Sequence, residues 1–323
     1  MSHGGGDPLK VIRAALVANL AIAVVKFVAA YLSQSTATLA EAVHSVADTG
    51  NQGLLLVGIH LASQRDDERF PFGRASERYF WPFIVALLLF SVGGAFALYE
   101  GVHNAMHPPT PDLSSFWSLR HGPLTSLLVL SVSAAFEGFS FSVAMKEFRH
   151  AARGKTVREA LFGGKDPTIP LVLMEDLSAL VGLAIAFVAV ALSAITGNGI
   201  WDAVGSILIG VLLMTVAGII ARDAHSLLIG ERAVPEVEHE VRRITEATPG
   251  VRCVTQLLTM HLGPEFVLLA MKVAFEPAPL AELEETIDEI ERRVRDEIPI
   301  MKKIFIEPDS KGDRRGVEPA PAS

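Results

Sequence analysis

Apolar and polar positions alternate on a long scale in this chain. Through the first two-thirds, runs of twenty or more mostly apolar residues are separated by short charged stretches; the last third is charged throughout. Crossing a bilayer as a helix takes about 20 apolar residues. Six stretches meet that length, at roughly 10–32, 37–62, 81–104, 122–145, 169–195 and 200–222. They predict a polytopic α-helical membrane protein with six transmembrane helices. The first stretch reads as a span and not as a cleaved leader, because no small-residue cleavage site follows it and Lys26 lies inside it.

After Arg222 the periodicity shortens. Val237, Val241 and Ile244 recur at helical spacing between Pro235 and Thr248. Val251 to His261 and Phe266 to Phe275 read as strands around a Gly263–Pro264 turn. Leu280 to Ile298 is an amphipathic helix with Leu283, Ile287, Ile290 and Val294 on one face, and Ile304 to Ile306 a short strand. Helix, strand, strand, helix, strand makes a small α+β domain. The expected division is 1–232 for the transmembrane domain, 233–309 for the cytoplasmic domain and 310–323 for a polar, disordered tail. A domain of that size carries little core by itself, so a second copy is the expected partner.

Half of the 323 residues are hydrophobic, a fraction that soluble domains also approach, so the distribution and not the total decides the class. The formal net charge of −8 argues against nucleic acid as a partner. Cys253 is the only cysteine, which excludes an intrachain disulfide and a thiolate metal cluster. Basic residues set the orientation. Arg65, Arg69, Arg74 and Arg78 follow the second span, and Lys146, Arg149, Arg153, Lys155, Arg158 and Lys165 follow the fourth. The stretches 32–37 and 196–199 have no Lys or Arg, and the loop between the third and fourth spans has only Arg120. Both termini are therefore expected in the cytoplasm.

The candidate chemistry lies inside the spans. An ionisable side chain at mid-membrane costs about 2–4 kcal/mol unless it meets a partner or water. The second span carries Glu41, His44 and Asp48, and the fifth carries the adjacent pair Glu175 and Asp176. His44 and Asp48, four apart, lie one above the other on a helix face, where an imidazole and a carboxylate can hold one divalent metal. The competing reading is a structural hydrogen-bonded pair; for Glu175 it is a lone acid satisfied by Asn19 or Ser178. Glu41, three residues before His44, reads as a residue of the outer mouth, with a place in the site as the alternative. Asn19, Gln52 and Glu137 read as groups that hydrogen-bond between helices or behind the ligands. Asp202 reads as the cap of the sixth helix. His103, His107 and His121 flank the outer loop without a specific assignment.

With Ala40-Glu-Ala-Val-His44-Ser-Val-Ala-Asp48 in the second span, Arg69-Phe-Pro-Phe-Gly-Arg74 after it, and Trp201-Asp-Ala-Val-Gly-Ser206 opening the sixth, the chain resembles the cation diffusion facilitator family from about Val11 to Pro308. The resemblance implies a ferredoxin-like cytoplasmic domain and a homodimer that exports divalent cations, most often zinc, in exchange for protons. It also implies a tetrahedral site between the second and fifth spans. His44 and Asp48 match the second-span ligands. In the fifth span Glu175 falls on the first ligand position and Ala179, which cannot bind metal, on the second. Asp176 is the substitute, about 100° further round the helix, and a local change of winding near Met174 to Leu177 would bring the two carboxylates together. The expected metal site is thus His44, Asp48, Glu175 and Asp176, with water as the alternative to Asp176. No metal is expected at the loop that reads Phe70, Phe72 and Arg74, nor in the cytoplasmic domain, where His261 and Glu307 are the loose candidates and Phe305 replaces an expected histidine.

One imidazole and up to three carboxylates suit zinc. Such a set also accepts manganese or iron(II), with cobalt and cadmium as further alternatives, and it lacks the soft sulfur that copper(I) prefers. Carboxylates in an apolar surround hold protons until a dication displaces them, which supplies proton coupling. No resident cofactor and no enzymatic activity are expected. Two other classes compete: an intramembrane metal hydrolase, against which nothing like HExxH is present, and a membrane-anchored metal sensor. The expected location is the plasma (inner) membrane.

Overall fold

The structure is a computed structural model that describes residues 8–33, 36–64, 68–107, 123–152, 161 and 164–309; the side chains of 29–45, 47, 90, 123, 125 and 126 are outside the described set. Its helices are α1 Pro8–Ser33, α2 Thr36–Ala62, α3 Glu77–Leu88, α4 Phe96–Met106, α5 Pro123–Ala151, α6 Thr168–Thr196, α7 Ile200–Ile229, α8 Pro235–Glu246 and α9 Leu280–Glu297. The strands are β1 Val251–Gly263, β2 Phe266–Phe275 and β3 Met301–Pro308. The expected outer loop near 108–117, the short helix begun at Thr156 and the tail 310–323 fall outside the described residues. The described residues divide into two compact units, one within Met1–Leu61 and Glu77–His225, the other within Ala62–Ser76 and Ser226–Ser323.

The first unit is a helical bundle. Five described helical stretches are long and apolar enough to cross a membrane: Pro8–Val28, Glu77–Met106, Leu127–Ala151, Thr168–Thr196 and Ile200–Ile229. Helices are the natural solution in hydrocarbon, because each backbone polar group is paired within its own segment. On α1 the residues Ile12, Ala15, Asn19, Ile22 and Ala23 are buried, while Val17, Leu20, Val24 and Val28 are exposed. That split is one inward stripe and one outward face at helical spacing. A shared core gathers Val11 and Ile12 of α1, Leu55 of α2, Val85 of α3, Ala144 and Phe148 of α5, Leu171 and Val172 of α6 and Ala217 of α7. At the same end of the bundle Lys10 pairs with Glu147, Arg78 with Asp166, and the Tyr79 hydroxyl donates to the Lys165 carbonyl at 3.0 Å.

The third span is not a uniform helix. Residues Leu89–Ala95 form a π-helical turn between α3 and α4. This span packs on α7 with backbone against backbone. A Cβ at Gly94 would stand 2.6 Å from Met214 Cγ, one at Gly101 2.7 Å from Ile207 N, and one at Gly210 2.7 Å from Leu98 N. Small residues are what permit helices in hydrocarbon to approach so closely. The link from α6 to α7 is tight: Gly197 takes φ 68 and closes α6 on the Ser193 carbonyl, and Asn198 Oδ1 accepts from Ile200 N at 3.0 Å. Asn198 thus performs the capping that the sequence reading gave to Asp202, which sits inside the first turn of α7.

The second unit is a three-stranded sheet with two helices. Strand order is β1-β2-β3, with β1 and β2 antiparallel and β2 and β3 parallel through α9. On β2 the residues Val267, Leu269, Met271 and Val273 are buried, and they join Val241 and Ile244 of α8, Ile290 and Val294 of α9 and Ile304 of β3 in one core. Strand β3 is longer than the apolar triplet at 304–306 suggested, because its parallel pairing with β2 runs from Met301 to Pro308. Leu283 and Ile287, expected on the buried face of α9, are only half-buried. In the segment at 68–76, the Arg74 guanidinium lies 4.1 Å over the Phe70 ring, and a Cβ at Gly263 would stand 2.5 Å from Ala75 Cβ.

Candidate cation site

The residues of α2 that follow the His44–Asp48 pair continue its stripe. Gln52 is one turn beyond Asp48 and wholly buried, and Asn51 beside it is also buried. Both amides reach α6. Asn51 Nδ2 donates to Glu175 Oε1 at 3.4 Å and Gln52 Nε2 donates to Glu175 Oε2 at 2.9 Å. The Glu175 carboxylate is therefore held from both oxygens and turned toward α2. Ser178 Oγ donates to the Glu175 main-chain carbonyl at 2.8 Å and leaves the carboxylate to the amides. Asn19 is buried on α1.

Asp176 faces elsewhere. Its Oδ2 accepts from Ser140 Oγ of α5 at 2.7 Å, and the residue is 2% exposed. Helix α6 is continuous α-helix through Met174 to Leu177, so the expected change of winding is not present. Adjacent carboxylates on a regular helix point about 100° apart. Here that angle sends Glu175 to α2 and Asp176 to α5. Ala179, half-buried, brings no donor to the position one turn beyond Glu175.

Glu137, expected from the sequence to hydrogen-bond between helices or behind the ligands, is half-buried on α5. It lies on α5 one turn before Ser140 and interacts electrostatically with Asp176 and Asp48, and also with Lys26 of α1. Glu175 interacts in the same way with Asp48, Asp176 and Glu137. Four carboxylates from three helices thus share one electrostatic neighbourhood. In the sequence Glu137 interrupts an apolar stretch midway through the fourth span, as Asp48 interrupts the second, but it stands alone without a metal-ligand spacing.

The side chains of Glu41 and His44 are outside the described residues; only their place on the α2 backbone is given. Among the described residues no three His, Cys, Asp or Glu side chains form a ready metal cage. What the described part brings together is an oxygen-rich half-site facing α2, with a second acid pair behind it on α5 and α6. The other candidates resolve simply. His261 is buried, and its Nδ1 lies 3.2 Å from the Gly263 carbonyl. Glu307 pairs with Lys272 at 3.2 Å. His103 on α4 and His107 just past its end are exposed, with ring centroids 5.4 Å apart.

Comparison with known proteins agrees with the fold class. Residues 12–229 match the model of the cation efflux transmembrane domain, and residues 233–311 match that of the cytoplasmic domain of cation efflux proteins. The chain is 31% identical over 271 residues to the mitochondrial proton-coupled zinc antiporter SLC30A9 of Mus musculus, covering 83% of this chain and 46% of that protein. It is 34% identical over 225 residues to metal tolerance protein C4 of Arabidopsis thaliana, covering 68% of this chain and 47% of the other. It is 24% identical over 314 residues to the magnetosome protein MamB of Magnetospirillum gryphiswaldense, covering 96% and 93%. The chain spans about half the length of the antiporter and metal tolerance relatives that it matches.

Proposed function

The chain belongs to the cation efflux (cation diffusion facilitator) family, and on that premise we propose that it carries a divalent cation, zinc first, across a membrane in exchange for protons. The ion sits between α2 and α6. His44 and Asp48 supply a nitrogen and an oxygen from α2, Glu175 supplies oxygen from α6, and Asp176 is the third acid of the site. The observation that carries this reading is the clamp on Glu175: two buried amides of α2 fix both carboxylate oxygens one turn from Asp48. Nearby acids supply the charge that a dication balances.

The chemistry follows from the donors. A dication entering from the cytoplasm displaces protons from the carboxylates, and opening to the far side lets protons displace the dication. Zinc is bound by imidazole and carboxylate ligands at about 2.0–2.2 Å. Oxygen-rich donors also suit manganese and iron(II), which is the second reading. Because Asp176 faces Ser140, the fourth position on the metal is filled by water while Asp176 balances charge from the α5 side. A carrier, not a hydrolase or a sensor, moves metal across a sealed bilayer, so vesicle flux with zinc, manganese, iron(II), cobalt and cadmium in competition decides both class and cargo.

The proposed setting is the plasma (inner) membrane, with 1–232 in the bilayer, 233–309 in the cytoplasm and both termini inside, as the Arg and Lys of the two long inner loops direct. The working form is a homodimer. On the second unit, the sheet face opposite α8 and α9 holds a groove of about 270 Å³ lined by Gln256, Leu258, Ala270, Lys272, Phe305 and Glu307. Leu258 and Phe305 are 58% and 54% exposed. The Lys272–Glu307 pair on this face balances its own charge, so a two-fold axis can set the apolar Leu258 and Phe305 of one copy against those of the other.

A further inference from the structure

The outer end of the third span holds two histidines that the transport reading leaves without a task. His103 and His107 are four apart, so their side chains share one face of α4. His107 follows the last residue of α4, yet its N–H still donates to the His103 carbonyl at 3.1 Å, which keeps the turn between them closed. Their ring centroids are 5.4 Å apart, with the planes tilted by 39°. One turn earlier the Tyr99 ring stacks on His103, with 6.2 Å between centroids and 14° between planes. That stack restrains the His103 ring on this face.

The spacing fits one metal ion. An imidazole nitrogen binds zinc at about 2.0–2.1 Å, which puts the ion about 3.2 Å from each ring centre, and a tetrahedral angle then separates the two centres by about 5.2 Å. The observed separation is 5.4 Å, so turning the rings brings both to one ion with the backbone as it stands. Helix α4 is seated closely on α7: a Cβ at Gly101 would stand 2.7 Å from Ile207 N. The two histidines follow Gly101 by two and six residues, which turns them away from α7, and both are exposed. A cation therefore reaches them without any opening of the bundle. Among the described residues no third His, Cys, Asp or Glu completes a cluster with them, so water fills the remaining positions on the ion. Two imidazoles with water suit zinc, cobalt(II) and nickel(II) better than manganese or magnesium.

We propose that His103 and His107 form a second metal site, a two-nitrogen station for zinc-class divalent cations at the non-cytoplasmic end of the third span. The orientation set by the basic loops puts this end on the side where the proposed transport discharges its cation. Its use by the cargo rests on that transport reading; its capacity to bind metal does not. The competing role is a ring stack of Tyr99, His103 and His107 that only stiffens the end of α4.

The experiment is zinc titration of the full chain in detergent by calorimetry, with thermal unfolding alongside. The variants are His103→Ala, His107→Ala and the exchange Val102→His/His103→Val, each made in the wild type and in Glu175→Gln. Wild type should bind zinc in two events, a tight one in the bundle and a weaker one at the histidine pair. The weaker event should lose at least about tenfold in affinity in His103→Ala and in His107→Ala alike, because either change leaves a single protein ligand. The exchange keeps the number of histidines but sets the two imidazoles about 140° apart round the helix, so it should lose the weaker event as well. The substituted side chains are exposed, so all three variants should melt as wild type does. Manganese in place of zinc should show no weaker event. A weaker zinc event that is missing from wild type, or that survives any of the three variants, overturns the proposal in favour of the ring stack. Failure of the transport reading looks different: Glu175→Gln would then keep the tight event, whatever happens at the weaker one.

Discussion

Glu175 and Asp176 are neighbours in the chain and face different helices, and that divergence sets the residue-scale predictions. Glu175→Gln should abolish zinc flux in vesicles, because the amide neither balances the dication nor accepts a proton. Asp176→Asn should retain at least half of the initial rate, because its carboxylate points to Ser140 and not to the α2 face. Equal loss in both variants would mean that both carboxylates reach the metal. Gln52→Leu separates function from stability. It removes the donor to Glu175 Oε2 together with an Oε1 that has no hydrogen-bond partner among the described residues. Deleting an unsatisfied buried oxygen offsets the lost hydrogen bond, so thermal stability should stay close to wild type. Zinc affinity should fall about tenfold as the carboxylate loses its orientation. An unchanged affinity by calorimetry would show that the clamp does not serve the site. His44→Asp should shift preference from zinc toward manganese or cadmium, since oxygen replaces nitrogen; the competition flux series reads this directly.

At the scale of elements, the spans were legible because apolar length is a strong signal. The helices begin and end within a few residues of expectation, apart from the extension of the third span back to Glu77, of the fourth to Ala151 and of the sixth to Ile229. The π-helical turn at Leu89–Ala95 was not legible. It coincides with the seat of Gly94 against Met214 on α7, and a partner helix is invisible to local periodicity. The Glu175 clamp was hidden for the same reason. Asn51 and Gln52 look like ordinary polar positions until α6 lies beside them. Leu283 and Ile287 share the period of Ile290 and Val294, yet only the latter two reach the sheet. Gly210→Leu tests the α7 contact. With Leu98 N only 2.7 Å from the new Cβ, the helices must separate, at a cost of about 1–3 kcal/mol. A lowered melting temperature in detergent is expected; an unchanged one would mean that the two spans do not pack backbone to backbone.

At the scale of the whole molecule, the proposed cation site lies in the helical bundle and the proposed pairing surface on the three-stranded sheet. Phe305→Asp together with Leu258→Asp should convert the dimer to monomer by light scattering in mild detergent, because the groove face would carry unbalanced charge. A persistent dimer would move the interface to the membrane bundle or to the domain edge. The central claim, exchange of a divalent cation for protons through the α2–α6 site, is tested most directly by zinc flux in sealed proteoliposomes with an imposed pH gradient. Wild type is predicted to move zinc into vesicles that are acidic inside, to acidify the medium as it does so, and to stop when the gradient is collapsed, while Glu175→Gln does none of these. Zinc movement that ignores the proton gradient, or that persists in Glu175→Gln, would contradict the account.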